Sequence, residues 1–499
     1  MSGVWYFWGS LALLLGGYYV YGAFVEKVFG IDAARPTPVK SKKDGVDYIE
    51  LPRHKIFLIQ LLNIAGLGPV IGPILGALYG PSALLWVVLG CIFGGAVHDY
   101  CSAMMSLRYG GASYPEVIGR NLGSGVRHFM EIFAIIFMIM VGAVFVLGPA
   151  ALLANMTGWN ITLWTAIIFI YYFLATILPI NTIIGRIYPI FGAILMFSAI
   201  GVFIGLFVHG YPLLNIWDDW QGVAFQAFQT VDGAEVPFSY GEYFASGHFL
   251  PVFFVTVACG ILSGFHSTQT AIISRTMKSE KQGRMTFYNM MILEGFIAMV
   301  WAAAAMGIYN LGIQAANASA TGTVGAVCRD ILGDVGGIIA LLGIIVLPIT
   351  SGDTALRGLR LTISESLRID QSTNSKRLTL SAIIFALVAV ILVFAKMNSE
   401  GFNILWRYFA WSNQSLSLFA FLAITIWMFE NGKAKFAWMP LIPGCWYVFI
   451  TITYIANAQI GFHIPWTGAY IIGVAAAAAY LIAIVWYGKK RAGLNAQTL

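Results

Sequence analysis

Charged residues are scarce in this sequence, since lysine, arginine, aspartate and glutamate together make up 10% of its 499 residues. A soluble domain contains about 25%. This shortage, together with a mean hydropathy of +0.80, argues against a soluble multidomain enzyme, a disordered protein and a nucleic-acid-binding protein. We therefore predict a membrane protein.

Cysteine is also rare, with five residues scattered along the chain. This spacing matches neither a disulfide framework nor a zinc-binding pattern. Lysine and arginine are absent before Lys27, and the apolar stretch that precedes it is long. Because a cleavable signal peptide has a basic start and a short apolar region, we expect residues 4–26 to remain as the first membrane span.

Long apolar runs are what the sequence does contain. A bilayer core about 30 Å thick requires roughly 20 apolar residues in a helix. Thirteen runs meet this requirement, at residues 4–26, 56–79, 82–107, 127–154, 160–179, 182–208, 248–273, 286–311, 335–360, 376–397, 402–429, 435–456 and 465–487. We predict an all-α polytopic membrane protein with about 13 transmembrane helices.

Basic residues near the ends of the spans predict which way the chain is oriented, because they resist translocation. With the N-terminus outside and the C-terminus inside, 25 of the 28 lysines and arginines fall on the inner side. The outer loop at 210–247 has no lysine or arginine but is acidic and aromatic. This loop is either a lid over the protein or a segment that lies at the lipid interface.

The second and seventh spans contain residues that interrupt helices. Three glycines and two prolines lie within residues 66–73 of the second span, and Gly260 and Gly264 lie in the seventh. Glycine and proline weaken a helix, so we expect the second span to unwind near the middle of the bilayer. Such backbone is tolerated only where it lines a cavity or is buried in protein. The alternative is that these residues serve close packing between helices.

The two interrupted spans are the first members of two successive sets of five. Five is an odd number, so the second set enters the membrane from the opposite side. This is the inverted-repeat pattern of secondary transporters, in which the substrate binds where the two breaks meet. The predicted organisation is an N-terminal span and inner loop, a first repeat, an outer loop, a second repeat, and two accessory spans with a basic tail, at residues 1–55, 56–208, 209–247, 248–429 and 430–499.

Broken helices expose N–H groups that suit a carboxylate and carbonyl groups that suit a cation. We therefore expect a small carboxylate-bearing solute that moves with a proton or a metal cation. The candidate substrate-binding residues lie at the two breaks: Asn63, Gly66, Gly68, Gly264, His266, Ser267, Thr268 and Gln269. The alternative is that the polar side chains only satisfy the backbone that they interrupt.

Ionisable residues within a span suggest a function, because the free energy of placing one charged side chain at the bilayer centre is at least about 2.5 kcal/mol. The four acidic candidates are all predicted in the inner half of the membrane: Asp99, Glu131, Glu294 and Asp353. Asp353 follows Thr350 and Ser351 and precedes Thr354; it could hold a cation or carry the coupling proton. Alternatively, Arg186, Arg357 and His98 only neutralise these carboxylates near the interface. For Glu131 we favour that structural role.

Several segments resemble the carbon starvation protein A family of bacterial and archaeal transporters. They are residues 63–73, 94–100, 106–113 and above all 264–275, and the resemblance extends over about residues 50–415. It implies a LeuT-like core, the five-plus-five inverted repeat shared with amino-acid and neurotransmitter symporters. It also implies proton-driven uptake of pyruvate or small peptides across the cytoplasmic membrane during carbon starvation.

The resemblance leaves the coupling ion open. In related symporters the ninth span supplies hydroxyl groups to a sodium site against the first broken helix, and Thr350, Ser351 and Thr354 match this pattern in type. We expect no cofactor beyond the coupling ion, H⁺ or Na⁺, and no catalytic activity. The expected partners are the bilayer and a small carboxylate or peptide substrate. A nutrient receptor that binds the same ligands without transport is the second hypothesis.

Overall fold

The computed structural model describes residues 2–43, 48–177, 180–217, 228–231, 234–237, 254, 260–316, 318–371, 373–397 and 401–498. The protein is helical throughout this part of the chain, apart from one short antiparallel hairpin of strands β1 (Phe228–Val231) and β2 (Ala234–Pro237). The hairpin belongs to the acidic outer loop. Most acidic residues of that loop, namely Asp218, Asp219, Asp232 and Glu242, lie outside the described residues.

The first half of the chain forms eleven helices in the described residues. They are α1 (Ser2–Gly16), α2 (Gly22–Phe29), α3 (Pro38–Ser41), α4 (Arg53–Ile64), α5 (Gly68–Ala77), α6 (Ser82–Leu89), α7 (Ala96–Arg108), α8 (Tyr114–Leu122), α9 (Ser124–Thr157), α10 (Ile161–Ile177) and α11 (Ile180–Val208). Two π-helical turns, Gly17–Tyr21 and Gly90–Gly95, join α1 to α2 and α6 to α7.

The second half continues with seven described helices. They are α12 (Gly264–Ser274), α13 (Asn289–Asn310), α14 (Ala320–Ser366), α15 (Asn374–Met397), α16 (Gly401–Glu430), α17 (Trp438–Asn457) and α18 (Trp466–Thr498). Short turns at Glu280–Gln282 and Ala434–Phe436, and a π-helical turn at Arg284–Tyr288, lie between them. Helix α14 contains a break at Gly333, whose φ of 67° separates an outer segment from the ninth predicted span.

Ten continuous helical stretches of the described residues are long and apolar enough to cross a membrane, and the bent pair α4 and α5 makes an eleventh span if counted as one. Three of the ten, Ser2–Phe29, Ser82–Arg108 and Glu280–Asn310, include a π-helical turn. Helix α10 is also apolar but is shorter than these ten stretches. These findings confirm an all-helical protein with many membrane spans. The number thirteen and the inverted repeat stay predictions.

Burial differs strongly between the spans. Within the most apolar 18-residue stretch of each span, 89% is buried in the span that ends with α13, compared with 28% in the N-terminal span and 17% in α18. Helices α4, α5, α12 and α13 therefore lie inside the helical bundle, whereas α1 and α18 face outward. Helix α4 packs on α11, where Leu58 and Leu62 lie against Gly192.

Candidate functional site

The break in the second span lies where the glycines and prolines predict it. Helix α4 ends at Ile64, α5 begins at Gly68, and the two axes are bent by 43°. The N–H of Gly66 turns back to the carbonyl of Ile64 at 2.8 Å. Pro69 is in the first turn of α5, where its missing N–H costs no helical hydrogen bond. The predicted unwinding of this span is confirmed.

The C-terminal half of the seventh predicted span, helix α12, begins at Gly264 after the extended residue Ser263. Most of the N-terminal half lies outside the described residues. A side chain at Gly260 would lie 3.5 Å from the carbonyl oxygen of Gly68, so the two breaks adjoin. The residues on which the substrate site was predicted are therefore close together in space.

Two consecutive side chains of α16 satisfy the freed backbone at the second break. The Asn413 Oδ1 accepts hydrogen bonds from the N–H of Phe265 at 2.8 Å and from the hydroxyl of Ser263 at 3.1 Å. The Gln414 Nε2 donates to the carbonyl of Leu262 at 2.8 Å. Both amide side chains are completely buried. At this break the protein itself supplies partners for one freed donor and one freed acceptor.

At the first break the carbonyls of Leu62 and Asn63 have a side-chain partner, whereas two of the N–H groups have no acceptor among the described residues. The Ser351 hydroxyl donates to the carbonyls of Leu62 and Asn63, at 2.9 and 3.3 Å. The amide N–H groups of Leu67 and Gly68, by contrast, have no acceptor in the part of the chain that the structure describes. Buried donors of this kind are expected to bind water or a ligand.

An aromatic wall lies next to the first break. The Cζ atom of Phe145 in α9 lies 3.3 Å from the position that a side chain at Gly66 would occupy, and the Ser351 hydroxyl lies at the same distance. The ring of Phe145 meets those of Phe265 and Phe409 edge to face, with centroids 5.8 and 5.9 Å apart. Gly66, next to the unpaired N–H groups, is thus close to one hydroxyl and to one aromatic ring, which packs against two further rings.

A buried chain of acids and histidines connects the third, seventh and eighth spans. The Asp99 carboxylate lies 2.8 Å from the Nδ1 of His98 and, through its other oxygen, 2.8 Å from the Nδ1 of His266. The Nε2 of His98 is 3.2 Å from the Ser267 hydroxyl, and the Nε2 of His266 is 3.9 Å from Glu294. We call these five residues the Asp99 cluster. All of them are completely or almost completely buried.

The Asp99 cluster touches the first break directly. The Nε2 of His266 lies 3.3 Å from the carbonyl oxygen of Ile64, the last residue of α4. Local packing explains this position, because a side chain at Gly95 would collide with the carbonyl oxygen of Ile261. The absence of a side chain lets the π-helical turn approach the second break closely. Asp99, one helical turn later, then faces His266.

The other predicted coupling residues are in different surroundings. Asp353 is buried one turn from Arg357 on α14, and both charges lie near Tyr171 of α10. The Arg357 guanidinium donates to the carbonyl of Ala175 at 2.7 Å. The hydroxyls of Thr350 and Thr354 bond within their own helix, whereas that of Ser351 reaches the break. The structure brings Asp99, Glu294 and His266 together and places Asp353 beside α10.

Several other candidates have local partners, whereas the buried side-chain amide of Asn63 has none among the described residues. The Thr268 hydroxyl donates to the carbonyl of Phe265, and the Gln269 Nε2 donates to Thr268. Glu131 pairs with Arg127 at 2.9 Å. The side chain of Arg186 lies outside the described residues. No group of three or more potential metal ligands occurs in the described part of the chain.

Sequence reasoning did not identify Asn413, Gln414, Phe145 or Phe409 as parts of the site. The sequence feature that could have identified Asn413 and Gln414 is that two amide side chains stand next to each other inside an apolar span.

A family model described as "Carbon starvation protein CstA" matches residues 2–158, 148–338 and 327–454. The chain belongs to this family.

Curated relatives of this CstA family member include transporters with different named substrates. The peptide transporter CstA of Escherichia coli is 22% identical over 93% of this chain and 83% of that protein. The pyruvate/proton symporter BtsT of Escherichia coli is 25% identical over 60% of this chain and 48% of that protein. An uncharacterized membrane protein of Haemophilus influenzae is 40% identical over 62% of this chain and 91% of that protein. The chain thus spans about half the length of BtsT.

Solved transporter structures share the fold of this CstA family member. A manganese transporter of Eremococcus coleocola superposes with a TM-score of 0.57 at 11% identity, covering 92% of this chain and 99% of that one. A Na⁺-coupled sialic acid symporter gives 0.55 at 14% identity, covering 99% and 98%. MhsT in complex with L-phenylalanine gives 0.57 at 12% identity, covering 88% and 99%. These neighbours have the LeuT fold, and the named relatives are transporters rather than enzymes.

Proposed function

We propose that this protein is a proton-coupled symporter that imports a small carboxylate, pyruvate or a short peptide, across the cytoplasmic membrane. The observation that supports coupling to protons is the Asp99 cluster, which is buried in the bundle and bonded to the first break. Buried acids and histidines that pair with one another are typical of proton relays in transporters. The proposal includes thirteen spans in two inverted repeats, with the N-terminus outside.

The substrate carboxylate binds, in this proposal, at the N–H groups of Leu67 and Gly68. Three observations support this placement: these donors lack acceptors among the described residues, they stand at the positive end of α5, and the Ser351 hydroxyl lies close to the preceding residue, Gly66. The rings of Phe145, Phe265 and Phe409 would cover a short apolar tail. The roles in substrate binding predicted for Asn63, Gly264, Ser267, Thr268 and Gln269 stay predictions.

The coupling proton is held, in this proposal, by His266 and Glu294 with the support of Asp99. Glu294 has no hydrogen-bond partner for either carboxylate oxygen in the described structure, and it lies 3.9 Å from His266. It can therefore take up a proton that His266 releases. Asp353, which lies beside Arg357 and Tyr171, remains the alternative carrier.

A sodium-coupled mechanism is the second candidate, and one contact favours it. The Ser351 hydroxyl faces the carbonyls of Leu62 and Asn63, and such oxygen atoms are the ligands of hard cations. Uptake of labelled pyruvate and of labelled dialanine into proteoliposomes, driven by an imposed pH gradient or an imposed sodium gradient, separates the two candidates. We expect accumulation with the pH gradient and its loss when a protonophore is added. Absence of gradient-driven uptake of either substrate would disprove the proposal.

Variants in the same vesicles test which acid carries the proton. We expect Glu294→Gln to abolish accumulation driven by the pH gradient while exchange of labelled for unlabelled substrate continues, since exchange needs no net proton movement. Asp353→Asn should keep gradient-driven uptake. Glu131→Gln, which removes an acid paired with Arg127 at the end of a span, is the matched control. The opposite pattern for Glu294 and Asp353 would transfer the role to Asp353.

A further inference from the structure

We propose that the proton on His266 holds the N-terminal half of the second span, helix α4, in place and that its loss releases this half-helix. This inference rests on the proposed function, because it explains how the coupling proton changes the conformation at the substrate site. Its starting point is that the imidazole of His266 lies between two hydrogen-bond acceptors. They are the Asp99 carboxylate at 2.8 Å from Nδ1 and the Ile64 carbonyl at 3.3 Å from Nε2.

Both contacts can be hydrogen bonds only if the Asp99–His266 pair holds one proton more than a carboxylate and a neutral imidazole. A carbonyl oxygen cannot donate, so Nε2 must carry a hydrogen to bond to Ile64. Nδ1 then donates its own hydrogen to Asp99, or accepts one from a protonated Asp99. The proton count is the same in either arrangement.

Release of this proton breaks the contact with α4. The nearest acceptor is Glu294, 3.9 Å from Nε2. When the proton moves there, the N–H bond at Nε2 breaks and an O–H bond forms at Glu294, so that an imidazolium and a carboxylate become a neutral imidazole and a carboxylic acid. The lone pair of Nε2 then faces the lone pairs of the Ile64 carbonyl, and the attraction is replaced by repulsion.

The charged and titratable groups around His266 come from three elements. Asp99 and His98 face it from α7, Glu294 faces it from α13, and the thiol of Cys91 in the π-helical turn lies near Asp99 and Glu294. Helix α4 presents only a backbone carbonyl. The other contacts that hold the end of α4, from Ser351 to Leu62 and Asn63, involve a hydroxyl that does not titrate. Among these contacts, the one from His266 is therefore the one that responds to protons.

Hydrogen exchange of the purified full chain in lipid nanodiscs tests this inference without transport. After correction for the intrinsic effect of pH on exchange, we expect the opening equilibrium of residues 53–66 to increase with pH, by up to about tenfold per pH unit where His266, Asp99 and Glu294 together lose one proton to the solvent. In His266→Gln, which cannot titrate, the exchange of this segment should not depend on pH. In Asp99→Asn the loss of the negative partner should move the opening to lower pH.

The control is His54→Gln, since His54 is exposed at the start of the same helix. This variant should keep the wild-type response. If His266→Gln does not fold, the shift in Asp99→Asn still decides the question. An unchanged pH response in a folded His266→Gln, or no response in the wild type, would overturn the inference. If exchange responds as expected but no pH-driven uptake is found, the proposed function fails and the role of the His266 contact stands. If pH-driven uptake is found but exchange does not respond to pH, the role of the His266 contact is rejected and the proposed function stands.

Discussion

At the scale of single residues, glycines determine how closely neighbouring spans approach the breaks. A side chain at Gly264 would collide with the Cβ of Leu416 and lie 2.6 Å from the carbonyl oxygen of Asn413. These atoms belong to α16, and one of them is backbone, so they cannot move aside easily. Gly264, the first residue of the segment at 264–275 that resembles the family most clearly, therefore has a packing role in addition to any role in substrate binding.

We predict that Gly264→Ala destabilises the protein by about 1–3 kcal/mol, the usual cost of an overpacked site. The loss should appear as a lower unfolding midpoint of the purified protein in detergent. Gly125→Ala is the matched control, because this helical glycine is exposed and has no atom within 4 Å of the added group. An equal midpoint for the two variants would show that α16 does not constrain the start of α12.

At the scale of secondary-structure elements, the two breaks differ in how their freed backbone groups are satisfied. Asn413 and Gln414 bond to the N–H of Phe265 and the carbonyl of Leu262, so α16 holds the two ends of the second break. At the first break the N–H groups of Leu67 and Gly68 lack such partners in the described residues. A binding site for a solute therefore fits the first break better, whereas the second break is tied to a neighbouring helix.

Removing the amide at Asn413 should loosen the second break. We predict that Asn413→Ala costs about 0.5–2 kcal/mol, as for loss of a helix cap, and lowers the unfolding midpoint. Thr425→Ala is the control, because this hydroxyl of the same helix bonds to the carbonyl of Phe421 in the preceding turn of its own helix. A midpoint for Asn413→Ala no lower than that of Thr425→Ala would contradict the proposed role of α16.

At the scale of the whole molecule, one buried acid links four distant segments at the end of the bundle where the basic residues gather. The Glu280 carboxylate accepts two hydrogen bonds from Arg108, at 3.0 and 2.9 Å, and one from the N–H of Asp32 at 2.8 Å; Arg35 adds a longer contact. The guanidinium of Arg108 also lies over the ring of Phe29, which stacks on Trp427 of α16. The N-terminal span, α7, the turn after α12 and α16 thus meet around Glu280.

We predict that Glu280→Ala destabilises the whole protein by about 3–5 kcal/mol, because it leaves the Arg108 charge without its buried partner. A thermal unfolding experiment in detergent measures this loss. Glu116→Ala provides the comparison, since its ion pairs with Arg120 and Arg127 are partly exposed and should contribute less than about 1 kcal/mol. Similar effects of the two substitutions would mean that the Glu280 contacts do not hold these segments together.

Much of the architecture is local and could be predicted. The apolar runs define the spans because a helix must be about 20 residues long to cross the bilayer, and the break at Gly66–Pro69 follows from the backbone preferences of glycine and proline. Individual candidates such as Asp99, His266 and Glu294 were recognisable because charge is costly inside a membrane. Their sequence positions did not reveal which of the four acids would lie together.

The sequence by itself determined a helical membrane protein, the position of the broken second span and the family to which the chain belongs, since composition, periodicity and motifs are properties of neighbouring residues. Only the tertiary structure decided that Asp99 and His266, 167 positions apart, share a hydrogen bond, and that Asp353 faces α10 instead. The physical reason is that such contacts depend on how each helix is rotated and which helix lies beside it. Close packing at Gly95 and Gly264 brings these acids and histidines together in one buried cluster. Without this packing they would be isolated charges.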